Sequence, residues 1–230
     1  MTNNIDTVIF DLDGTLVDSQ PAALGATIEA LSRFGVQVTA AELREVFGGG
    51  ARKLLHHFLD RDLGSDQAGQ LLEDAVQLRS SLQLDLTSEV VLLSGVKELL
   101  ALLQDGKYRL AVATMSTRVV VDSVLGYHSI NAYFDAILTV DDVTQGKPDP
   151  EILTKTVDRL GGQVNRTVYV GDSSHDMEAA VQLGMPFLLV DSGIYIRGAA
   201  REKLHAAAEQ NGFPIVGLDE LSDIGEIVQR

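Results

Sequence analysis

Two aspartates, Asp11 and Asp13, stand one residue apart directly after the apolar segment Thr7–Phe10. Side chains two positions apart in an extended chain lie on one face, so the two carboxylates are expected to lie close together. Paired carboxylates suit a divalent cation, or a nucleophile and an acid/base group whose pKa values are pushed apart. Taken alone, the pair is explained as well or better by two solvated aspartates in the turn before Gly14, because acidic turns are common.

Polar residues at three other places in the chain change that interpretation. Thr114 ends a second apolar segment, Lys147 lies in the loop sequence GKPDP, and Asp172 and Asp176 follow a later apolar segment. In an open α/β sheet the ends of such strands meet along one edge, so residues more than 160 positions apart can converge on one site. Together they supply what phosphoryl transfer needs: a carboxylate nucleophile, a second carboxylic acid, acidic ligands for Mg²⁺, and a hydroxyl and a lysine for the phosphate oxygens.

The elements that position these residues are predicted from hydrophobic periodicity. Short apolar segments rich in β-branched residues predict strands at residues 7–10, 110–113, 136–138, 168–170 and 187–190. Helical spacing of apolar residues predicts helices that begin at Ser94 and at Pro150, a helix at residues 198–209 and a last helix from Leu218. Near-continuous apolar strands separated by helices indicate a parallel sheet covered by helices on both faces.

Residues 17–87 break this alternation, because they show helical patterns and no convincing strand. Asp18 and Ser19 are predicted to cap a first helix, and further helices are predicted at residues 40–47, 52–59 and 66–84. The glycines at 48–50 lack the lysine of a phosphate-binding P-loop and are interpreted as a flexible turn. We therefore expect a helical region inserted after the first strand.

The composition of the chain excludes several classes of protein. With 230 residues, 45% apolar and 22% charged, it is typical of a globular protein, and no apolar run approaches the roughly 18 residues of a membrane span. The net charge of −15 opposes binding to nucleic acids and anionic membranes, so neither is expected as a partner. The absence of cysteine and of a secretory signal leads us to expect a cytoplasmic protein.

The motifs Asp11-Leu12-Asp13-Gly14-Thr15, Thr114, Lys147 and Gly171-Asp172 to Asp176 resemble, in order and in placement at strand ends, the four motifs of the haloacid dehalogenase superfamily. The resemblance covers nearly the whole chain. It implies a Rossmann-like α/β core, with a parallel sheet between helices, at residues 1–16 and 88–230, and an α-helical cap domain at residues 17–87. Residues 11–19 and 48–52 look most like the phosphoglycolate phosphatase branch, although Met115-Ser116-Thr117 departs from the asparagine-containing tripeptide expected after Thr114.

The resemblance also implies a role for each matching residue. Asp11 would attack phosphorus and form an aspartyl phosphate, while Asp13 would protonate the leaving alcohol and then activate the water that hydrolyses the intermediate. Thr114 and Lys147 would contact phosphate oxygens and offset the growing negative charge. The implied cofactor is Mg²⁺, with candidate ligands Asp11, Asp13 through its backbone carbonyl, Asp172, and Asp176 either directly or by orienting a bound water or Lys147.

Two further residues are candidate substrate contacts. Arg52 lies in the helical region, from which it is expected to reach the distal group of a substrate, although an ordinary surface charge explains it about as well. Met115 follows Thr114 directly and is expected to line the same site. These cap and loop residues, rather than the reacting group, would decide which phosphate ester is bound.

The leading hypothesis is a Mg²⁺-dependent phosphatase that acts on a small phosphorylated metabolite, with a phosphoglycolate-like compound as the first candidate. A dehalogenase attacks carbon and needs no metal, and the presence of Asp13 and Asp172 argues against it. A phosphosugar mutase would use the same aspartyl phosphate and stays open as an alternative. A non-catalytic phosphate-binding protein is a third possibility, which fold analogy alone does not exclude. The sequence predicts neither the substrate nor the oligomeric state.

Overall fold

The computed structural model describes residues 5–46 and 50–229, which form strands and helices in alternation. The strands are β1 (Thr7–Phe10), β2 (Val17–Asp18), β3 (Val91–Leu92), β4 (Arg109–Ala113), β5 (Ala136–Leu138), β6 (Thr167–Gly171), β7 (Phe187–Asp191) and β8 (Ile215–Gly217). The helices are α1 (Gln20–Arg33), α2 (Ala40–Glu45), α3 (Gly50–Leu63), α4 (Ser65–Asp85), α5 (Val96–Asp105), α6 (Arg118–Tyr127), α7 (Glu151–Leu160), α8 (Ser174–Leu183), α9 (Gly198–Gln210) and α10 (Ile224–Gln229). The predicted strands and most of the predicted helices are confirmed within a few residues.

The main sheet has the strand order β5-β4-β1-β6-β7-β8, and all neighbouring strands are parallel. Strand β1 lies at its centre, where Phe10 is in register with Val112 of β4 and Val170 of β6. The chain therefore leaves β1, β4 and β6 at the same edge of the sheet. This register brings together the loops that carry the predicted site residues.

Each face of the sheet is covered by helices, as the apolar strands predict. Because side chains alternate along a strand, Val8 and Phe10 pack into a cluster with α5, α6 and α10, whereas Ile9 packs into a second cluster with α7, α8 and α9. Burial on both faces explains why the strands are almost entirely apolar. The predicted α/β fold class is confirmed.

The helical region forms a hydrophobic cluster of its own. Helices α1 to α4 share it, and on α3 the residues Leu55, Phe58 and Leu59 are buried at the spacing of one helix face. The separate cluster agrees with the predicted insertion, while the domain limits at residues 1–16, 17–87 and 88–230 stay a prediction.

Three local predictions need correction or lie outside the described residues. Strands β2 and β3 form a short antiparallel ribbon, so residues 17–87 do contain a strand, which at two residues is too short to show a period. The last helix does not begin at Leu218, because residues 218–223 form a 3₁₀ helix and α10 begins at Ile224. Phe47 and the glycines at 48 and 49 lie outside the described residues. Among the described helices, none is long and apolar enough to cross a membrane.

Candidate active site

The loop after β1 holds Asp11 and Asp13. The backbone N–H of Asp11 donates to the carbonyl of Val170 at 2.8 Å, which extends the β1–β6 pairing by one residue before the chain turns. Gly14 closes this turn at φ +83°, and a Cβ atom there would lie 2.0 Å from Asp172 Oδ2. Only glycine tolerates both the backbone angle and the close approach of that carboxylate.

Lys147 lies beside Asp11 with its side chain only 4% exposed. Its Nζ is 3.0 Å from Asp11 Oδ1, and it donates hydrogen bonds to Asp176 Oδ1 at 2.6 Å and to the Tyr169 hydroxyl at 2.8 Å. Burial by itself would lower the pKa of Lys147, but the nearby carboxylates of Asp11 and Asp176 outweigh it, so the net pKa is raised. Lys147 is therefore a permanently charged ammonium group in the site.

Glu151, at the start of α7, holds the loop that carries Lys147. Its Oε2 accepts hydrogen bonds from the backbone N–H groups of Thr144 and Gln145 at 3.0 and 2.7 Å and from the Thr144 hydroxyl at 2.8 Å. Hydrogen bonds from Lys155 and from these donors lower the pKa of Glu151 to about 2. The loop is thus tied to a helix end rather than left to solvent.

Asp176 lies in the first turn of α8, where it forms a capping box with Ser173. Its Oδ2 accepts from the Ser173 hydroxyl at 2.6 Å, and its Oδ1 accepts from Lys147 and from Tyr169. The pKa of Asp176 is lowered, because Lys147 and these hydrogen bonds outweigh the effect of complete burial. Both oxygens of Asp176 therefore already have donors, and one of those donors is Lys147.

Asp11, Asp172 and Asp176 can offer one carboxylate oxygen each within 4.8 Å of one another. Among the described residues, nothing donates a hydrogen bond to Asp172 Oδ2, and Asp11 Oδ1 has only the ion-pair contact with Lys147. Burial, together with the charges of Asp176 and Asp13, raises the pKa of Asp11 to about 7 against the effect of Lys147. Burial and the neighbouring charges of Asp176 and Asp11 raise the pKa of Asp172 well above its usual range.

Buried carboxylate oxygens without donors are costly unless a cation compensates them. Hard oxygen donors of this kind suit Mg²⁺. The residues present therefore fit the divalent cation that the sequence predicts, although its identity rests on the choice of donor atoms alone.

Asp13 lies outside this cluster and is held by hydroxyl groups. Ser116 Oγ donates to Asp13 Oδ2 at 2.7 Å, and Thr114 Oγ1 lies 3.5 Å from the same oxygen. Ser19 Oγ donates to Asp13 Oδ1 and also contacts the Tyr195 hydroxyl at 2.7 Å. Ser19 occupies the N-cap position of α1 but makes no side-chain capping bond, so the predicted capping role is wrong for its side chain.

A cavity of about 570 Å³ opens over these groups. On the sheet side it is lined by residues that include Asp11, Asp13, Thr114, Met115, Lys147 and Asp172, and on the helical side by residues that include Arg52, Arg79 and Gln83. The structure thus brings the predicted catalytic residues together at one wall of a cavity whose opposite wall is formed by the helical region. A small metabolite fits a space of this size.

The two predicted substrate contacts both border the cavity. Arg52 lies there with its side chain 54% exposed and forms an ion pair with Glu73, so its charge already has a partner. The methyl group of Met115 lies against the backbone of Gly146, where a Cβ atom would be 2.4 Å away. Met115 therefore packs on the loop that carries Lys147, besides lining the cavity.

Three residues of the site were not predicted from the sequence to act there: Arg79 and Tyr195, which line the cavity, and Ser19, which contacts Asp13. Arg79 is buried on α4 and follows Leu72 and Ala75 on the buried face of that helix. A charged residue at a core-facing position of an amphipathic helix is the pattern from which its role could have been predicted. Tyr195 lies in the loop after β7, where no local pattern marks it. Ser19 was predicted as a helix cap and as part of the motif at residues 11–19, but its contact with Asp13 depends on how the loop after β1 folds back.

Comparisons with known proteins agree with the motifs. A model of the haloacid dehalogenase-like hydrolase family matches residues 8–190. The probable phosphatase IndB of Dickeya dadantii is 32% identical over 204 residues, which are 88% of this chain and 86% of that protein. A phosphoglycolate phosphatase of Caulobacter vibrioides is 30% identical over 191 residues, which are 81% of this chain and 79% of that protein.

A solved structure shows that the fold is also similar to that of a known protein. A crystal structure of CbbY from Rhodobacter sphaeroides in complex with xylulose-(1,5)bisphosphate is 25% identical, covers 96% of each chain and superposes with a TM-score of 0.79. The arrangement of sheet and helices is therefore shared over nearly the full length of both chains.

Proposed function

This chain belongs to the haloacid dehalogenase-like hydrolase family and is one of its phosphatases, and from that premise we propose that it hydrolyses a small phosphate monoester through an aspartyl-phosphate intermediate with Mg²⁺ as cofactor. The observation that carries the proposal is the geometry around Asp11. A buried carboxylate lies 3.0 Å from a permanently charged lysine and faces a cavity, with a second carboxylate, Asp13, two residues away.

The metal would be held by the carboxylates of Asp11 and Asp172 and by the backbone carbonyl of Asp13. These carboxylates have the oxygens that lack hydrogen-bond donors among the described residues. Asp176 completes the acidic cluster and positions Lys147 through their hydrogen bond of 2.6 Å. When bound, Mg²⁺ would offset the repulsion between the phosphate and the carboxylates.

In the first step, one carboxylate oxygen of Asp11 forms a bond to phosphorus while the bond to the alcohol oxygen breaks. Asp13 gives its proton to the leaving alkoxide, which departs as the alcohol. Lys147 and Thr114 stabilise the charge on the remaining phosphoryl oxygens. The product of this step is an aspartyl phosphate on Asp11.

In the second step, Asp13 acts as a base. It takes a proton from a water molecule whose oxygen attacks phosphorus, and the bond between phosphorus and Asp11 breaks to release phosphate. The hydroxyl groups of Ser19 and Ser116 suit this role, because they donate to the ionised form of Asp13. Closure of the helical region over the cavity would keep bulk water away from the intermediate.

For the substrate, we propose phosphoglycolate or a compound of similar size. Support comes from the relative of that name in Caulobacter vibrioides, at 30% identity, and from the cavity of about 570 Å³. A chain without cysteine suits the reducing cytoplasm, where we place this activity.

The test is phosphate release from a panel of phosphoglycolate, sugar phosphates, nucleotides and pyrophosphate, measured with Mg²⁺ and with a chelator. We expect release that requires Mg²⁺ and that falls by about 1,000-fold or more in Asp11→Asn, because the nucleophile is lost. Asp74→Asn makes the same chemical change at an exposed position of α4 and is expected to retain activity. Conversion of a sugar phosphate to an isomer without phosphate release would instead identify a mutase, and full activity in chelator would contradict the metal requirement.

A further inference from the structure

Arg79 is the buried cation on the helical side of the cavity. Its exposed fraction is 9%, and two neutral oxygens orient its guanidinium group. Nε donates to Thr27 Oγ1 at 2.8 Å, and Nη1 donates to Gln83 Oε1 at 2.8 Å. Thr27 in turn donates to the carbonyl of Ala23 at 2.6 Å, so its hydroxyl has only its lone pairs to offer to Arg79.

Within the part of the chain that the structure describes, the charge of Arg79 has no neutralising partner close by. Among the described residues no carboxylate forms an ion pair with it, and Nη2 makes no hydrogen bond. By contrast, the exposed arginines Arg33, Arg52 and Arg61 of the same helical region each contact a carboxylate. Burial lowers the pKa of Arg79, while the charge of Asp13 acts in the opposite direction. A buried charge that is positioned but not neutralised is costly for the fold.

The groups on the sheet side do not relieve this imbalance. Both oxygens of Asp13 already accept hydrogen bonds, from Ser19 and from Ser116. Lys147 is engaged with Asp11 and Asp176, so it is committed to the end of the cavity where the phosphoryl group would react. No described residue neutralises Arg79, whereas an anionic ligand that fills the cavity would do so.

We propose that Arg79 binds a second anionic group of the substrate, a carboxylate or a second phosphoryl group, while the residues around Asp11 act on the phosphoryl group that is transferred. This inference rests on the proposed function. The planar guanidinium fork, with Nη2 unused, is suited to the oxygens of either anion. The preferred substrates are then phosphate esters with a further negative charge, whereas neutral sugar and alcohol phosphates are poor substrates.

The experiment compares ligands that differ in this group alone. Phosphoglycolate carries a carboxylate where 2-hydroxyethyl phosphate carries a neutral hydroxymethyl group, and ethane-1,2-diol bisphosphate carries a second phosphoryl group on the hydroxyl oxygen of 2-hydroxyethyl phosphate. We expect kcat/KM for the better of the two doubly anionic esters to exceed that for 2-hydroxyethyl phosphate by about 10- to 100-fold, as for a charge-assisted hydrogen bond. A preference for phosphoglycolate identifies a carboxylate site, and a preference for the bisphosphate identifies a phosphoryl site.

Variants then assign the preference to Arg79. In Arg79→Gln the ratio of kcat/KM values is expected to fall towards one, and in Arg79→Lys to stay intermediate. Arg33→Gln removes the same charge from the exposed surface of the helical region and is expected to keep the wild-type ratio. An unchanged ratio of kcat/KM values in Arg79→Gln would overturn the proposal. Equal kcat/KM values for the doubly anionic esters and 2-hydroxyethyl phosphate in the wild-type protein would also overturn it, and this comparison does not depend on the folding of a variant.

Failure of the proposed function is distinguishable from failure of this inference. If no compound releases phosphate, the proposed function fails, and the inference is still tested by calorimetric binding of the same ligands to Asp11→Asn. Tighter binding of a doubly anionic ester than of 2-hydroxyethyl phosphate would support the role of Arg79. Equal dissociation constants, or no binding of any of the three ligands, would overturn it.

Discussion

Asp172 shows at the scale of a single residue why this site calls for a cation. Asp172 is 6% exposed, and among the described residues its Oδ2 has no hydrogen-bond donor. Burial and the charges of Asp176 and Asp11 raise its pKa well above the usual range. Without a cation, the ionised form of Asp172 therefore destabilises the folded protein.

Replacing Asp172 by asparagine should raise the melting temperature of the metal-free protein at pH 7 by a few degrees, since about 1 kcal/mol corresponds to roughly 2–4 °C in a chain of this size. A carboxylate with a raised folded-state pKa stabilises fully only below its unfolded-state pKa, and this stability is lost as pH rises. The difference in melting temperature between the variant and the wild type should therefore grow as the pH increases from about 4 to 7 in the presence of a chelator. Mg²⁺ should stabilise the wild type more than the variant. Thermal unfolding checks both expectations, and a pH-independent difference would contradict them.

Tyr195 contributes to the site through Ser19. The single proton of the Ser19 hydroxyl goes to Asp13, so the Tyr195 hydroxyl must donate to Ser19 Oγ. Burial and the charge of Asp13 raise the pKa of Tyr195 well above its usual range, which keeps it a donor at every working pH. We therefore propose that Tyr195 positions Asp13, the proposed acid/base carboxylate.

In Tyr195→Phe we expect kcat to fall about fivefold with little change in KM, because one neutral hydrogen bond is worth about 1 kcal/mol. Steady-state kinetics check this expectation, with Tyr127→Phe as a control at an exposed position of α6. A change in KM alone would show that Tyr195 contacts substrate instead of positioning Asp13.

At the scale of secondary-structure elements, the position of Lys147 depends on the junction between its loop and α7. Glu151 Oε2 accepts three hydrogen bonds from Thr144 and Gln145, and its Oε1 lies 2.6 Å from Lys155 Nζ. Among the described residues, Glu151 makes no hydrogen bond to Asp11 or to Asp13. Its effect on catalysis is therefore expected to pass through the loop.

Glu151→Ala should lower kcat by about tenfold, since small displacements of a catalytic group have large effects on rate. Glu151→Gln keeps an oxygen acceptor for the loop and should retain most of the activity. Kinetics of the two variants, with circular dichroism to confirm folding, separate positioning from stability. Wild-type kcat in Glu151→Ala would show that the loop does not need these hydrogen bonds.

At the scale of the whole molecule, the net charge of −15 affects the binding of every ion. A strongly negative field concentrates cations near the protein and repels free anions. The Debye length falls from about 30 Å at 0.01 M salt to about 8 Å at 0.15 M, so salt weakens this field. We therefore expect the dissociation constant for Mg²⁺ to rise severalfold between these two salt concentrations, as measured by calorimetry. An unchanged constant would mean that only the local carboxylates matter.

Much of the fold and of the candidate site could be predicted from the sequence. Apolar strands buried on both faces are visible as short runs such as Thr7–Phe10, and the polar residues that end them are Asp11, Thr114 and Asp172. Parallel strands end at one edge, so the convergence of these residues follows from fold class without any coordinates. Lys147 was predicted from its place in the ordered motifs, and the structure places it 3.0 Å from Asp11.

Other features depend on packing between distant parts of the chain. Ser19 has the local pattern of a helix cap, yet its hydroxyl donates to Asp13, because the turn at Gly14 brings that carboxylate within reach. Arg79 is a charged residue at a core-facing position of α4, and only the placement of α4 over the cavity brings it to the site. Local spacing determines which residues share a face of an element, whereas the distances between elements are set by how their faces pack. The sequence by itself therefore determined the candidate reacting groups and the edge of the sheet where they meet, and the tertiary structure alone decided which side chains contact them and which buried cation lines the cavity.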